Sequence, residues 1–104
     1  MIDKVSLEIK IIEVLQTIYD PEMPANIYDL GLVYNIDIKD TGYVNITMTL
    51  TAPGCPVAGD IIAEVDNKIR NIDEVTDVNV MLTFDPAWNR EMMSEEAKLE
   101  LGFL

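Results

Sequence analysis

Apolar residues recur along this chain with two different periods. Leu7, Ile11, Val14, Leu15 and Ile18 fall three and four apart, and Glu8, Lys10, Glu13, Gln16 and Thr17 mostly take the other face. That spacing predicts an amphipathic helix of about three turns. Ser6 or Asp3 is its candidate cap, and Pro21 forbids continuation past Asp20. Pro21 and Pro24 then make a rigid, extended segment, and Gly31 marks a turn or a close approach of backbones. From Leu32 the period shortens to two. Leu32, Tyr34, Ile36 and Ile38 alternate with Val33, Asn35, Asp37 and Lys39, which predicts a strand with one buried face. The stretch KDTG at residues 39–42 signals a hairpin turn. Val44, Ile46, Met48 and Leu50 alternate with Asn45, Thr47 and Thr49 on the returning strand.

The helical period resumes after Pro56, where Ala58, Ile61, Ile62, Val65 and Ile69 share one face. Val78, Val80 and Leu82 alternate with Asn79, Met81 and Thr83 as a third strand, which Pro86 ends. Ser94, with Glu95 and Glu96, opens a short helix to Leu101, stopped by Gly102. The order α-β-β-α-β-α predicts an α+β two-layer sandwich, one domain over residues 1–104, with helices packed on one face of a three-stranded sheet. The second helix crosses from strand two to strand three, so those strands are expected to be parallel and the connection right-handed.

Composition narrows the function classes. The chain has 104 residues, 49% hydrophobic and 25% charged, which is ordinary for a soluble globular protein with one core. No apolar run approaches the ~18 residues of a membrane span. The N-terminus lacks a basic region followed by an apolar stretch, so the expected location is the cytoplasm. A net charge of −12 with scattered basic residues disfavours direct nucleic-acid binding. The absence of histidine removes Ser-His-Asp and Cys-His catalysis within one chain. A single cysteine removes an intrachain disulfide, a CxxC redox pair and a four-cysteine metal site.

That one cysteine, Cys55, lies in LTAPGCPVAGDII at residues 50–62, in a turn just before a helix start. The positive end of a helix dipole favours an anion, and a thiolate is one. Pro56 suits a first helical position, Gly54 lets the backbone turn tightly, and Thr51 adds a hydroxyl at the strand end. Cys55 is therefore either a reactive thiol or a small apolar side chain packed under the turn. Asp20, Glu22 and Asp29 form a second candidate group. They are either acid, base or hard metal ligands, or solvated charges in a helix-terminating turn. Trp88, with Met92 and Met93, is a third candidate: a partner-binding patch, or packing of the tail over the sheet.

Four motifs, DPEMPANIYDLGLVY at 20–34, MTLTAPGCP at 48–56, LTFDPAW at 82–88 and MSEEAKLELG at 93–102, together resemble the SufT-like and PaaD-like family of small iron–sulfur assembly factors. Eukaryotic relatives in that family act in the cytosolic iron–sulfur targeting complex. The resemblance covers residues 11–102 and implies a fold related to the C-terminal domain of NifU-type scaffolds. It also implies a role in maturing iron–sulfur proteins, as an auxiliary or cluster-trafficking factor rather than an enzyme. By motif, Cys55 matches the family's reactive cysteine, Asp20 and Glu22 its acidic DPE, and Thr51 the polar residue before the Pro-Gly-Cys turn; Asp29 is carried over with them. The cysteine-rich C-terminal region of many PaaD-type proteins is absent here.

The expected partners are iron–sulfur assembly proteins and client apo-proteins. No cluster is expected to be held stably by one chain, because clusters usually take four protein ligands. A transient iron or cluster contact at Cys55 is expected instead, and a homodimer would bring two such thiolates together. Two rival readings stand beside this one. One is an adaptor that binds through the sheet face, the acidic surface and Trp88. The other is a one-cysteine thiol enzyme, weakened by the lack of His or Arg near Cys55 in sequence.

Overall fold

Asp3 starts the first helix. In a computed structural model of the chain, its carboxylate accepts hydrogen bonds from the Val5 and Ser6 amides at 3.1 and 3.2 Å. The structure describes residues 3–20, 23–51 and 58–102. Helix α1 spans Lys4–Leu15 and buries Leu7, Ile11 and Leu15. It closes with the Thr17 and Ile18 amides donating to the Val14 and Leu15 carbonyls at 3.0 and 3.2 Å. The Thr17 hydroxyl donates to the same Val14 carbonyl at 2.6 Å. These i-to-i−3 bonds tighten the last turn, so the helix stops well before Pro21. Ile18 is buried beyond the helix rather than on it.

The sheet follows, with β1 (Val33–Ile38), β2 (Tyr43–Met48) and β3 (Asp77–Leu82) in spatial order β1-β2-β3. Strands β1 and β2 are antiparallel; β2 and β3 are parallel, joined through α2 (Ala58–Arg70). This is the arrangement expected from the order of elements. Ile38, Val44, Ile46 and Met48 point into the layer filled by Leu7, Ile11 and Leu15 of α1 and Ile61, Val65 and Ile69 of α2. Each such fully buried aliphatic side chain contributes on the order of 2 kcal/mol. The other face carries Asn35, Asp37, Asn45, Thr47 and Asn79, in keeping with the alternation.

Three positions depart from the expected pattern. Val33 pairs with Met48 but Asn35 pairs with Thr47, so Tyr34 is an extra residue on β1. The bulge takes Tyr34 out of the buried set. It is half-buried and donates its hydroxyl to the Pro86 carbonyl at 2.7 Å. Thr49, expected on the polar face, lies past the end of β2 and is fully buried. Leu82 is 39% exposed at the end of edge strand β3, beside Met81 at 45% and Phe84 at 38%. A single 3-10 turn, Arg90–Met92, precedes α3 (Glu95–Glu100). The Ser94 hydroxyl caps α3 by accepting from the Ala97 amide at 3.1 Å, as the sequence led one to expect.

Candidate functional site

Of the segments flagged in the sequence, Asp20, the stretch around Asp29, Thr51 and the Trp88 tail gather at one end of the sheet. A series of backbone hydrogen bonds puts them there. The Ile27 amide donates to Ile18 at 2.8 Å, Leu32 to Ile27 at 3.1 Å and Thr49 to Leu32 at 2.8 Å. Asp20 donates its amide to Ala25 at 3.3 Å, and Thr83 donates to Met48 at 2.9 Å. Residues 18–20 and 23–32 therefore continue the hydrogen-bonded layer past the start of β1 and the ends of β2 and β3. The start of α2 follows from the same end of β2.

Asp20 is buried, with 5% of its surface exposed, and its carboxylate accepts from the Met23 amide at 3.2 Å. Charge at that depth is tolerated when donors face it. Asp29 is half-buried. Its Oδ2 accepts from the Asn26 side-chain amide at 2.9 Å, while its own backbone N–H donates to Asn26 Oδ1 at 2.8 Å. This reciprocal pair closes the 26–30 turn. Asn26 was not singled out in the sequence, since an asparagine in a proline-flanked loop gives no periodic signal. Thr51 is half-buried at the exit from β2. Glu22 and Cys55 lie outside the described residues, and so does any contact between the DPE turn and the Pro-Gly-Cys turn. Thr49 was also missed. Its Oγ1 is buried and finds no hydrogen-bond partner among the described residues, an arrangement that costs roughly 1–3 kcal/mol.

The tail after β3 folds back over this end. The Trp88 indole N–H donates to the Leu30 carbonyl at 2.6 Å, and the Ser94 amide donates to the Asp29 carbonyl at 2.8 Å. Met93 and Ala97 are buried. Gly31 has φ +79°, and a Cβ there would stand 2.2 Å from the Met92 carbonyl oxygen. The close backbone approach expected at Gly31 is present, and the tail is what approaches. Trp88 is half-buried against the core.

Ion pairs between α1, α2 and the loops and strand facing them lie at the opposite end. Arg70 bonds Asp66 and Asp77, which raises its own pKa. The Arg70 guanidinium in turn holds the Asp77 carboxyl below its usual range. The Lys10 ammonium does the same for Glu74, and Lys4 for Asp40. Among the described residues, no group of three or more His, Cys, Asp or Glu side chains is placed to hold a metal ion. No described helix is long and apolar enough to cross a membrane.

A sequence profile described as iron–sulfur cluster assembly protein matches residues 8–81. The chain belongs to the iron–sulfur cluster assembly protein family. It is similar to an Fe-S protein maturation auxiliary factor of Porphyromonas gingivalis, 56% identical over 94 residues, covering 90% of each chain. The Fe-S protein maturation auxiliary factor SufT of Staphylococcus aureus is 40% identical over 85 residues, covering 82% of this chain and 97% of that one. Among solved structures, a crystal structure of Domain of Unknown Function DUF59 from Bacillus anthracis superposes with a TM-score of 0.88. It is 37% identical, covering 96% of this chain and 95% of that chain. The family profile begins within α1, at residue 8, and runs almost to the end of β3, stopping before the clasping tail.

Proposed function

We propose that this chain is an auxiliary factor in iron–sulfur protein maturation, assisting delivery or insertion of clusters into client apo-proteins. The observation that carries the reading is the match, over nine-tenths of both chains, to a relative named for that role. In this reading iron or a cluster is cargo, contacted transiently by the Cys55 thiolate, and the chain is not itself a catalyst. Cys55 lies three positions in sequence before the first residue of α2. In this reading Asp20 and Glu22 would line the same site, tuning the thiol or contacting iron, and Thr51 and Asp29 would belong to it. The partners are assembly proteins and clients, in the cytoplasm.

The test is genetic. The gene is deleted, a cytosolic [4Fe–4S] dehydratase is assayed in extracts, and either the original chain or Cys55→Ala is restored at matched expression. Loss of activity rescued only by the original chain supports cluster handling at the thiol. Rescue by both chains makes the protein an adaptor of the same pathway. An unchanged dehydratase, even in oxidative or iron-poor growth, sinks the maturation role.

A further inference from the structure

Strand β1 is an edge of the sheet, and its outer side is unpaired. The Lys39 amide donates to the Tyr43 carbonyl at 2.8 Å, so that pair is a hydrogen-bonded one. Antiparallel pairs alternate, which makes Asp37–Asn45 and Asn35–Thr47 bonded pairs too. The backbone N–H and C=O groups of Ile36 and Ile38 therefore point away from β2. Among the described residues nothing pairs with them.

A cavity of about 220 Å³ runs along this edge, lined by Glu8 and Ile12 of α1, by Tyr28, and by Val33, Tyr34, Asn35 and Ile36. Val5, Ile9 and Ile12 stand four and three apart on α1, so they share the flank that carries Glu8. Val5 is 72% exposed and Ile9 53%. Glu8 makes no ion pair among the described residues, although Lys4 and Lys10 nearby on the helix both do. The groove thus combines open strand hydrogen bonds, an apolar helix flank, two tyrosines and an unneutralised carboxylate.

We propose that this edge docks an extended polypeptide segment of a partner protein, added as a fourth strand beside β1 and carrying a basic side chain that reaches Glu8. Main-chain bonds to Ile36 and Ile38 supply the pairing. Alternate side chains of the added strand face α1, where apolar ones meet Ile9 and Ile12 and a Lys or Arg meets Glu8 and the tyrosine rings. A second copy of the chain is disfavoured, because each copy carries a net charge of −12. The proposal deepens the maturation reading, which requires the chain to hold a protein, and rests on it for the choice of a polypeptide occupant.

The test is a titration of the 15N-labelled full chain with two capped peptides, one alternating threonine with lysine and one alternating threonine with glutamate. The lysine peptide is expected to give saturable amide shifts at Ile36, Ile38, Glu8 and Ile12. Glu8→Gln is expected to weaken that binding about threefold, as for an exposed ion pair. Ile36→Pro removes an outward N–H and no internal ladder bond, so it is expected to abolish the shifts. Glu8→Lys, on exposed helix surface, keeps the test decisive if the proline variant does not fold; it is expected to reverse the preference between peptides. The proposal is overturned by equal response to both peptides, by shifts spread over other acidic surface, by no saturable shift, or by a dimer that occupies the β1 edge. If peptides fail to bind while the deletion defect stands, the groove is wrong and the maturation role survives. If they bind as described without a deletion defect, the groove stands and the maturation role falls.

Discussion

The two ends of the sheet are held by different chemistry. At the hairpin end, side-chain ion pairs join different elements: Lys4 to Asp40, Lys10 to Glu74 and Arg70 to Asp77. At the candidate-site end, the cross-links from the tail run to backbone carbonyls: an indole to Leu30 and an amide to Asp29. Exposed ion pairs are weak and are screened by salt. Hydrogen bonds to buried main chain are directional and cost more to break. The candidate-site end is therefore the part whose geometry is fixed, and the hairpin end is the part whose charge is merely balanced.

Four substitutions probe that contrast, from the largest effect to the smallest. Gly31→Ala puts a methyl group against the Met92 carbonyl at a positive φ, so the tail must move. We expect a loss of about 3 kcal/mol in urea unfolding, with the fluorescence of Trp88, the sole tryptophan, shifted to the red. An unshifted spectrum would mean that the tail docks without needing the glycine. Trp88→Phe keeps a ring but removes the donor to Leu30. A cost of roughly 1.5 kcal/mol by far-UV circular dichroism is expected, and a neutral result would reduce the clasp to packing. At the hairpin end, Asp3→Ala removes two cap bonds and should cost about 1 kcal/mol by the same measurement.

Arg70→Gln should do least to stability and be visible mainly in titration. With Arg70 present, the folded Asp77 pKa lies below its unfolded value. The pair's contribution is present above the ordinary carboxylate range and fades as pH falls through the folded value. Arg70→Gln is expected to raise the Asp77 pKa in a carboxyl-carbon NMR titration and to flatten the acid side of the stability profile. An unmoved Asp77 would show that the ion pair is not formed in solution.

Local rules made most of the fold legible before any coordinates. The apolar face of α1, the KDTG hairpin, the crossover that makes β2 and β3 parallel and the Ser94 cap all rest on residues close in sequence. Long-range contacts left no such trace. The bulge at Tyr34 is invisible in a strand where Val33 and Tyr34 are equally able to be buried. Thr49 reads as solvent-facing by alternation and becomes interior only because the strand ends one residue earlier. Of the candidate site, the approach at Gly31 was legible, since few causes demand glycine between leucines. Its cause, a tail more than fifty residues later in the chain, was not. Asn26 escaped because its role is to complete a partner's hydrogen bonds. Cys55 and Glu22 remain assigned by motif.

The clasp between Gly31 and the Trp88–Ser94 segment joins parts of the chain that leave the ribosome at widely separated moments of synthesis. The 26–31 turn emerges early and stays uncovered until residues 88–94 have cleared the exit tunnel. A nascent chain can form α1 and the β1–β2 hairpin while translation continues, but it cannot fasten the end that bears the candidate site. Completion of that end is thus timed by the late part of synthesis, and an interrupted translation product would display an unclasped version of it to quality-control proteases.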